Sequence, residues 1–80
     1  MIDSLEFIMN LEYSLLFIRL PDLLKMTGMS RSTVYNLMNP KSKYFDPSFP
    51  KPVDLTPNGR SKAWSRAEVE TWMLSRLNAR

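Results

Sequence analysis

The side chains best suited to pairing with base edges lie on one side of a short predicted helix. They are Ser32, Asn36 and Asn39, flanked by Thr33 and Tyr35, with Arg31 at the first turn. An Asn amide can form two hydrogen bonds with adenine, Ser and Thr hydroxyls can donate or accept, and an Arg guanidinium suits guanine or phosphate. A surface that contacts only water more often carries long Glu and Lys side chains paired at i, i+4. These residue types favour base reading, with plain surface as the alternative.

The basic residues are concentrated in the segment that contains this helix. Residues 25–66 hold eight basic and two acidic residues, whereas residues 1–20 hold three acidic residues and one Arg. No acidic residue occurs over residues 23–45. Because neutralising phosphates releases condensed counterions, such a segment favours binding to nucleic acid. A charged face that merely improves solubility is the other interpretation.

Residue types used in catalysis or metal binding are scarce. The chain contains no His and no Cys, which removes the commonest general base, the thiol nucleophile and the usual ligands of zinc. The eight acidic residues are scattered, and Asp46 and Asp54 are expected in turns rather than as an acid–base pair. We therefore expect neither enzymatic activity nor a metal or other cofactor.

Two short helices joined by a tight turn are predicted around the polar face. The first begins at Leu20, with Pro21 in its first turn, and ends at a Gly28 cap. Ser30 caps the second helix, which covers about residues 31–39. The buried side of this second helix is formed by Val34, Leu37 and Met38. The arrangement is the sequence form of a helix-turn-helix.

A proline-rich loop follows at residues 40–52, where the helical periodicity stops. Three aromatic residues, Tyr44, Phe45 and Phe49, could pin this loop to the core, and one of them could stay exposed. We expect an ordered loop rather than a flexible linker.

Beyond the loop, the sequence predicts a two-stranded hairpin with a basic tip. Residues 53–55 alternate as a strand does, the Asn-Gly pair at 58–59 favours a hairpin turn, and residues 60–64 form the return strand. Simple alternation points Arg60, Lys62 and Trp64 to one side, and Ser61 and Ala63 to the other. After a helix-turn-helix, such a hairpin is typical of a wing, and a connector whose charges face water is the alternative.

The chain closes with a helix that begins at a capping box formed by Ser65 and Glu68. Trp64 and Val69 form the accompanying hydrophobic staple, and both Trp64 and Trp72 are expected in the core. The predicted fold class is mostly α with a small β-hairpin, a winged helix-turn-helix over residues 19–80.

Residues 1–18 form an N-terminal extension in this interpretation. A helix is expected there, because Leu5, Ile8, Met9, Leu15 and Leu16 can share one side. The segment could pack on the domain, mediate self-association or extend without order. Its acidic charge makes DNA and anionic membranes poor partners, so self-association is favoured over both. No signal-like or membrane-spanning stretch is present, so a cytoplasmic location without membrane partners is expected.

From about residue 17 to residue 80, the sequence resembles the AlpA-like prophage regulators and excisionases, whose winged helix-turn-helix is related to the MerR type. The resemblance is carried by the runs RLPDLL (19–24), TGMSRSTVY (27–35), FPKPVDL (49–55), RSKAW (60–64) and EVETW (68–72). These runs are similar to the family's opening helix, turn and recognition helix, first wing strand, second wing strand and closing helix. The loop at 39–48 and the wing tip at 56–58 are longer than the family usually shows.

The resemblance implies a DNA-binding protein of a prophage or integrative element, acting as an excisionase (a recombination directionality factor), as a transcriptional regulator of an integrase gene, or as both. It places recognition-helix residues in the major groove and wing residues at the backbone or in the minor groove. The recognition-helix set is Arg31, Ser32, Thr33, Tyr35 and Asn36. The wing set is Arg60, Ser61 and Lys62.

A single recognition helix of about nine residues is roughly 13 Å long and reads only about three or four base pairs. We therefore expect several copies of the chain to bind side by side on double-stranded DNA. The resemblance implies a phage-type integrase as a further partner. The competing hypothesis is a protein-interaction module whose basic surface docks on an acidic regulator or recombinase.

Overall fold

The computed structural model describes residues 16–80, where three helices pack around a small antiparallel sheet. The elements in order are β1 (Phe17–Ile18), α1 (Leu20–Thr27), α2 (Arg31–Met38), β2 (Val53–Asp54), β3 (Lys62–Ser65) and α3 (Arg66–Asn78). β3 is the central strand and pairs with β1 on one side and β2 on the other. The mostly helical winged helix-turn-helix is thus confirmed.

The helices begin and end where local sequence signals predict. The Ser30 hydroxyl accepts a hydrogen bond from the amide of Thr33, and the Ser65 hydroxyl accepts one from the amide of Glu68. Gly28 ends α1 with φ at 73°, a left-handed conformation that glycine adopts without steric cost. None of the helices in residues 16–80 is long and apolar enough to cross a bilayer.

One apolar cluster joins all the helices to the sheet. Its buried members are Ile18, Leu23, Val34, Phe49, Trp64 and Val69. Partly buried side chains from the turn and from α2 and α3 surround it, including Met29, Leu37 and Trp72. Burial of these side chains removes apolar surface from water. A fully buried large apolar side chain stabilises the fold by about 1.5–3 kcal/mol in this way. The position of α2 is therefore coupled through this cluster to α1, α3, β1 and β3.

The sheet has a strand that the sequence did not predict. Phe17 pairs with Ser65 and Ile18 pairs with Trp64, so β3 has partners on both sides instead of one. Ile18 is buried in the core cluster, and the sheet begins two residues before the suggested boundary at 18/19. A two-residue strand is too short for alternation to reveal it. The strand at Phe17–Ile18 replaces the end of the helix expected over the N-terminal extension, so that prediction is wrong for these residues. The rest of the expected helix falls on residues 1–15, outside the described residues.

The wing differs from the expected tight hairpin. Its strands are joined by residues 55–61, and β3 begins at Lys62 rather than at Arg60. A two-residue type I′ turn needs positive φ at both central positions, whereas only Gly59, with φ at 69°, has positive φ in this loop. The Asn58 side chain instead accepts hydrogen bonds from the Thr56 hydroxyl and the Arg60 amide. The result is a wide wing tip.

The loop between α2 and β2 is pinned by one aromatic side chain. Phe49 is buried and packs edge-on against Trp72, with ring centroids 5.0 Å apart. Tyr44 and Phe45 are both exposed, although only one exposed aromatic residue was expected. The loop turns tightly here, because the amides of Asn39, Ser42 and Phe45 each donate a hydrogen bond to the carbonyl three residues earlier.

Candidate nucleic-acid interface

The outer face of α2 is open along its whole length. Each of the five residues assigned to the recognition helix is exposed: Arg31, Ser32, Thr33, Tyr35 and Asn36. On the other side, Val34 is fully buried, and Leu37 and Met38 pack against the core. The predicted rotation of the helix is therefore confirmed, and a ligand can reach the polar face without any movement of the core.

Three of the polar side chains on α2 already take part in hydrogen bonds. The Ser32 hydroxyl lies 3.3 Å from the Ser30 hydroxyl. The Thr33 hydroxyl lies 2.9 Å from the Ser30 hydroxyl, within the helix cap. The Asn36 side-chain oxygen accepts a hydrogen bond from the Ser42 hydroxyl at 3.4 Å. The amide group of Asn36 keeps its two N–H donors, because only its oxygen is used in this bond. These bonds hold the outer face in a defined shape.

The three wing residues have different surroundings. The Lys62 ammonium forms an ion pair with the carboxylate of Asp54 on the adjacent strand. Arg60 is exposed, and Ser61 is half-buried with its backbone carbonyl accepting from the amide of Leu55 at 2.7 Å. Asp54 lies in β2, as the alternation over residues 53–55 predicted, and not in a turn. Lys62 thus carries its charge next to an acid.

A hollow of about 550 Å³ lies between α2 and the wing and places both on one side of the molecule. We call this hollow the helix–wing cleft. Its lining is Arg19, Leu20, Pro21, Tyr35, Met38, Pro52, Arg60, Lys62 and Trp64. The lining contains Arg60, Lys62 and Trp64 together, as the alternation of the return strand predicted. Three of its residues are basic and none is acidic.

Sequence reasoning missed Arg19 as part of this surface. Arg19 belongs by sequence to residues 1–20, which are acidic as a group. In the structure it is the N-cap residue of α1 and lines the helix–wing cleft. Its position could have identified it, because Arg19 immediately precedes the helix that begins with Leu20 and Pro21. An Arg there lies beside the start of the helix-turn-helix.

The loop after α2 is held by Asp46, which bridges α2 and α3. The Asp46 amide donates to the carbonyl of Leu37 at 3.0 Å, and its carboxylate accepts from the Trp72 indole nitrogen at 3.0 Å. The same carboxylate accepts from the hydroxyl and amide of Ser48. The Ser48 hydroxyl, followed by the Trp72 indole, lowers the pKa of Asp46 below its ordinary value of 3.8. The backbone of Asp46 therefore holds the end of α2, and its carboxylate connects the loop to α3.

Comparison with known proteins gives a consistent result. Residues 16–77 match the family described as Prophage CP4-57 regulatory protein (AlpA). The chain is 38% identical over 68 residues to a protein of Escherichia coli (strain K12) described as DNA-binding transcriptional activator AlpA, a match covering 85% of this chain and 94% of that protein. It is 36% identical over 64 residues to the uncharacterized protein ORF88 of Enterobacteria phage P4, covering 80% of this chain and 64% of that protein. No solved structure matches significantly.

Proposed function

The chain belongs to the AlpA family of prophage regulatory proteins, and from that premise we propose that it is a regulator that binds double-stranded DNA sequence-specifically. The observation that carries the proposal is the shared side of α2 and the wing, which meet at the helix–wing cleft. Both elements can therefore approach one duplex together. The Escherichia coli relative is described as a DNA-binding transcriptional activator, which supports the same function.

Base reading is assigned to the outer face of α2. The major groove of B-DNA is wide enough to admit a helix, and each base pair presents a distinct hydrogen-bond pattern there. The contacts are proposed for the recognition-helix set, Arg31, Ser32, Thr33, Tyr35 and Asn36. Asn36 offers its amide to adenine, and Arg31, at the first turn, suits guanine or a phosphate. Because the Thr33 hydroxyl is bonded within the cap, it must share or exchange that bond to reach a base.

The wing is assigned to the DNA backbone or the minor groove. Arg60 and Lys62 supply positive charge beside the cleft, and Ser61 lies between them. Phosphate contacts of this kind set the register of a protein on the duplex but carry little sequence information. The wing therefore contributes affinity, whereas α2 contributes preference.

Several copies are proposed to bind neighbouring repeats. The eight residues of α2 span about 12 Å and read only a few base pairs. One copy alone cannot single out a site in a genome, because each mismatched base pair changes the binding free energy by only about 1–3 kcal/mol. An array of protomers would multiply this discrimination and would bend the DNA.

Two roles follow for such an array, and transcriptional regulation is the better supported. Bound at a promoter, the array would regulate transcription of a nearby integrase gene. The Escherichia coli relative is described as a transcriptional activator, which favours this role. Bound at an attachment site, it would act as an excisionase and help a phage-type integrase to assemble. Neither role includes a catalytic step by this chain.

Footprinting on DNA flanking the gene tests the proposal and separates the two roles. Protection at a promoter supports transcriptional regulation, and protection at an attachment site supports excision. A parallel titration with salt tests direct DNA binding, because the logarithm of affinity falls with slope of about −0.9 per contacted phosphate. Failure to bind duplex at low salt would instead favour docking on an acidic protein.

A further inference from the structure

We propose that the helix–wing cleft holds the single sugar–phosphate strand that separates the two DNA grooves, and that Arg19 binds one of its phosphates. This inference rests on the proposed function and adds a contact outside both α2 and the wing. An element in the major groove and another in the adjacent minor groove necessarily straddle one backbone strand, because that strand forms the wall between them. The structure provides a cleft between the two elements at the required place.

The chemistry of the cleft matches that of a sugar–phosphate strand. Its cationic groups are Arg19, Arg60 and Lys62, which suit phosphates. Its apolar surface comes from Leu20, Pro21, Met38, Pro52 and Trp64, which suits the carbon face of deoxyribose. A lining of both kinds fits an alternating chain of sugars and phosphates better than it fits an isolated inorganic anion.

Arg19 is held in place by its backbone while its side chain is exposed. Its backbone is extended, with φ at −88° and ψ at 170°, and its carbonyl accepts a hydrogen bond from the amide of Leu23 at 3.0 Å. Among residues 16–80, no acidic side chain lies within ion-pair distance of its guanidinium. A phosphate can therefore bind Arg19 without displacing a protein partner from that part of the chain.

Lys62 differs from Arg19 because its charge is already compensated. A phosphate must compete with Asp54 for the Lys62 ammonium. Breaking the ion pair with Asp54 offsets part of the electrostatic gain from binding a phosphate. Lys62 is therefore expected to contribute less to DNA affinity than Arg19. Arg19 is thus the more sensitive probe of the cleft.

The size of the cleft also admits a small organic anion, since ligand sites in proteins commonly have volumes of about 300–1,000 Å³. The two occupants predict different behaviour. A duplex strand makes Arg19 contribute to the salt dependence of DNA binding, whereas a small-anion site makes Arg19 contribute to binding of a free nucleotide. The experiment therefore includes both probes.

The test measures affinity for a short mixed-sequence duplex at several salt concentrations, using the full chain. Arg19→Ala should make the slope of log affinity against log salt shallower by about 0.9, the effect of one lost phosphate contact. Arg19→Lys should keep the wild-type slope because it keeps the charge. Arg80→Ala is the matched control, because Arg80 lines a separate hollow beside the end of α3, and its slope should equal the wild-type slope.

The outcomes separate the two proposals. If the wild-type chain binds with a steep slope but Arg19→Ala and Arg80→Ala behave alike, the assignment of the cleft is wrong and DNA binding stands. If the wild-type chain does not bind duplex even at low salt, both the proposed DNA binding and the assignment of the cleft are wrong. If Arg19→Ala leaves the duplex slope unchanged but abolishes a rise in melting temperature caused by deoxyadenosine monophosphate, the cleft is a small-anion site and the backbone assignment is overturned.

Discussion

The indole nitrogen of Trp72 donates a hydrogen bond to a carboxylate oxygen of Asp46 at 3.0 Å, joining two residues 26 positions apart. The bond connects the loop after α2 to α3, while the Asp46 amide bonds to the last turn of α2. Trp72 also packs against Phe49 from the same loop. The orientation of α2 is therefore set by a polar contact as well as by the core.

Removing this hydrogen bond should destabilise the fold without emptying the core. Trp72→Phe keeps an aromatic ring beside Phe49 but loses the N–H donor, and Asp46→Asn loses the charge. Each is expected to lower the free energy of unfolding by about 1–2 kcal/mol, because hydrogen bonds to charged groups exceed neutral ones. Urea denaturation of both single variants and the double variant measures the coupling. Fully additive effects would contradict a direct interaction.

The same carboxylate predicts an acid-dependent stability. Its pKa in the folded chain is lowered below 3.8 by the Ser48 hydroxyl first and by Trp72 second. A lowered pKa means that the stabilisation is complete above the unfolded value and is lost as the pH falls through the folded one. Wild-type stability should therefore fall more steeply below about pH 4 than that of Asp46→Asn. Equal slopes in denaturation curves across this pH range would refute the assignment.

Substitution of Gly28 should destabilise the fold because of the backbone conformation at this position and not because of steric crowding. Its φ is 73°, and a Cβ built there would meet no heavy atom within 4 Å. Gly28→Ala is expected to destabilise the chain by about 1–2 kcal/mol, the cost of a left-handed conformation for an ordinary residue. Gly28→Asn should be milder, since Asn tolerates this region better. The two unfolding free energies are measured together, and an Ala variant as stable as wild type would be the contrary result.

Asp54 is expected to weaken DNA binding by holding Lys62. Asp54→Asn should tighten duplex binding by up to about fivefold, since exposed ion pairs contribute about 0.2–1 kcal/mol. Glu70→Gln is the matched control, because it also removes one acid and releases Arg66 on α3, away from the cleft. It should change affinity less.

A second background tests whether the effect of Asp54 acts through its partner. In a Lys62→Ala chain, Asp54→Asn should produce little of the gain in duplex affinity that it produces in the wild-type chain. Fluorescence anisotropy at one fixed salt concentration provides all four affinities of this cycle. An equal gain with and without Lys62 would show that Asp54 acts by general repulsion of DNA.

Base reading by α2 predicts altered preference rather than uniform weakening. Asn36→Ala or Ser32→Ala should change the discrimination between target and mismatched duplexes by about 1–3 kcal/mol for each lost base contact. Lys62→Ala should weaken all duplexes alike. Asn78→Ala, at the end of α3, is the control and should leave both affinity and preference at wild-type values. Selection of bound sequences from a randomised pool measures the preference, and an unchanged preference for Asn36→Ala would mean that this residue reads no base.

The sequence predicted those features that depend on nearby residues. Ser30, Ser65 and Gly28 set the helix ends through bonds or backbone angles within a few positions. The rotation of α2 followed from the spacing of its apolar residues, with Val34 fully buried as expected. Local signals of this kind do not depend on the rest of the fold, which is why they could be recognised.

Features that depend on distant residues could not be predicted in this way. The pairing of Ile18 with Trp64 joins positions far apart, and a strand of two residues has no periodicity of its own. Arg19 became part of the cleft only because α2 and the wing fold towards α1. Tertiary arrangement decides each of these features.

The most direct test of the account is an NMR titration of the isotope-labelled chain with duplex DNA at low salt, followed residue by residue. The account predicts that the largest shifts occur along the outer face of α2, at Ser32 and Asn36, with further shifts at Arg60 and Arg19. The exposed residues Leu74 and Leu77 of α3 should barely respond. Shifts concentrated on α3, with the outer face of α2 unchanged, would contradict the central claim that this face lies against DNA.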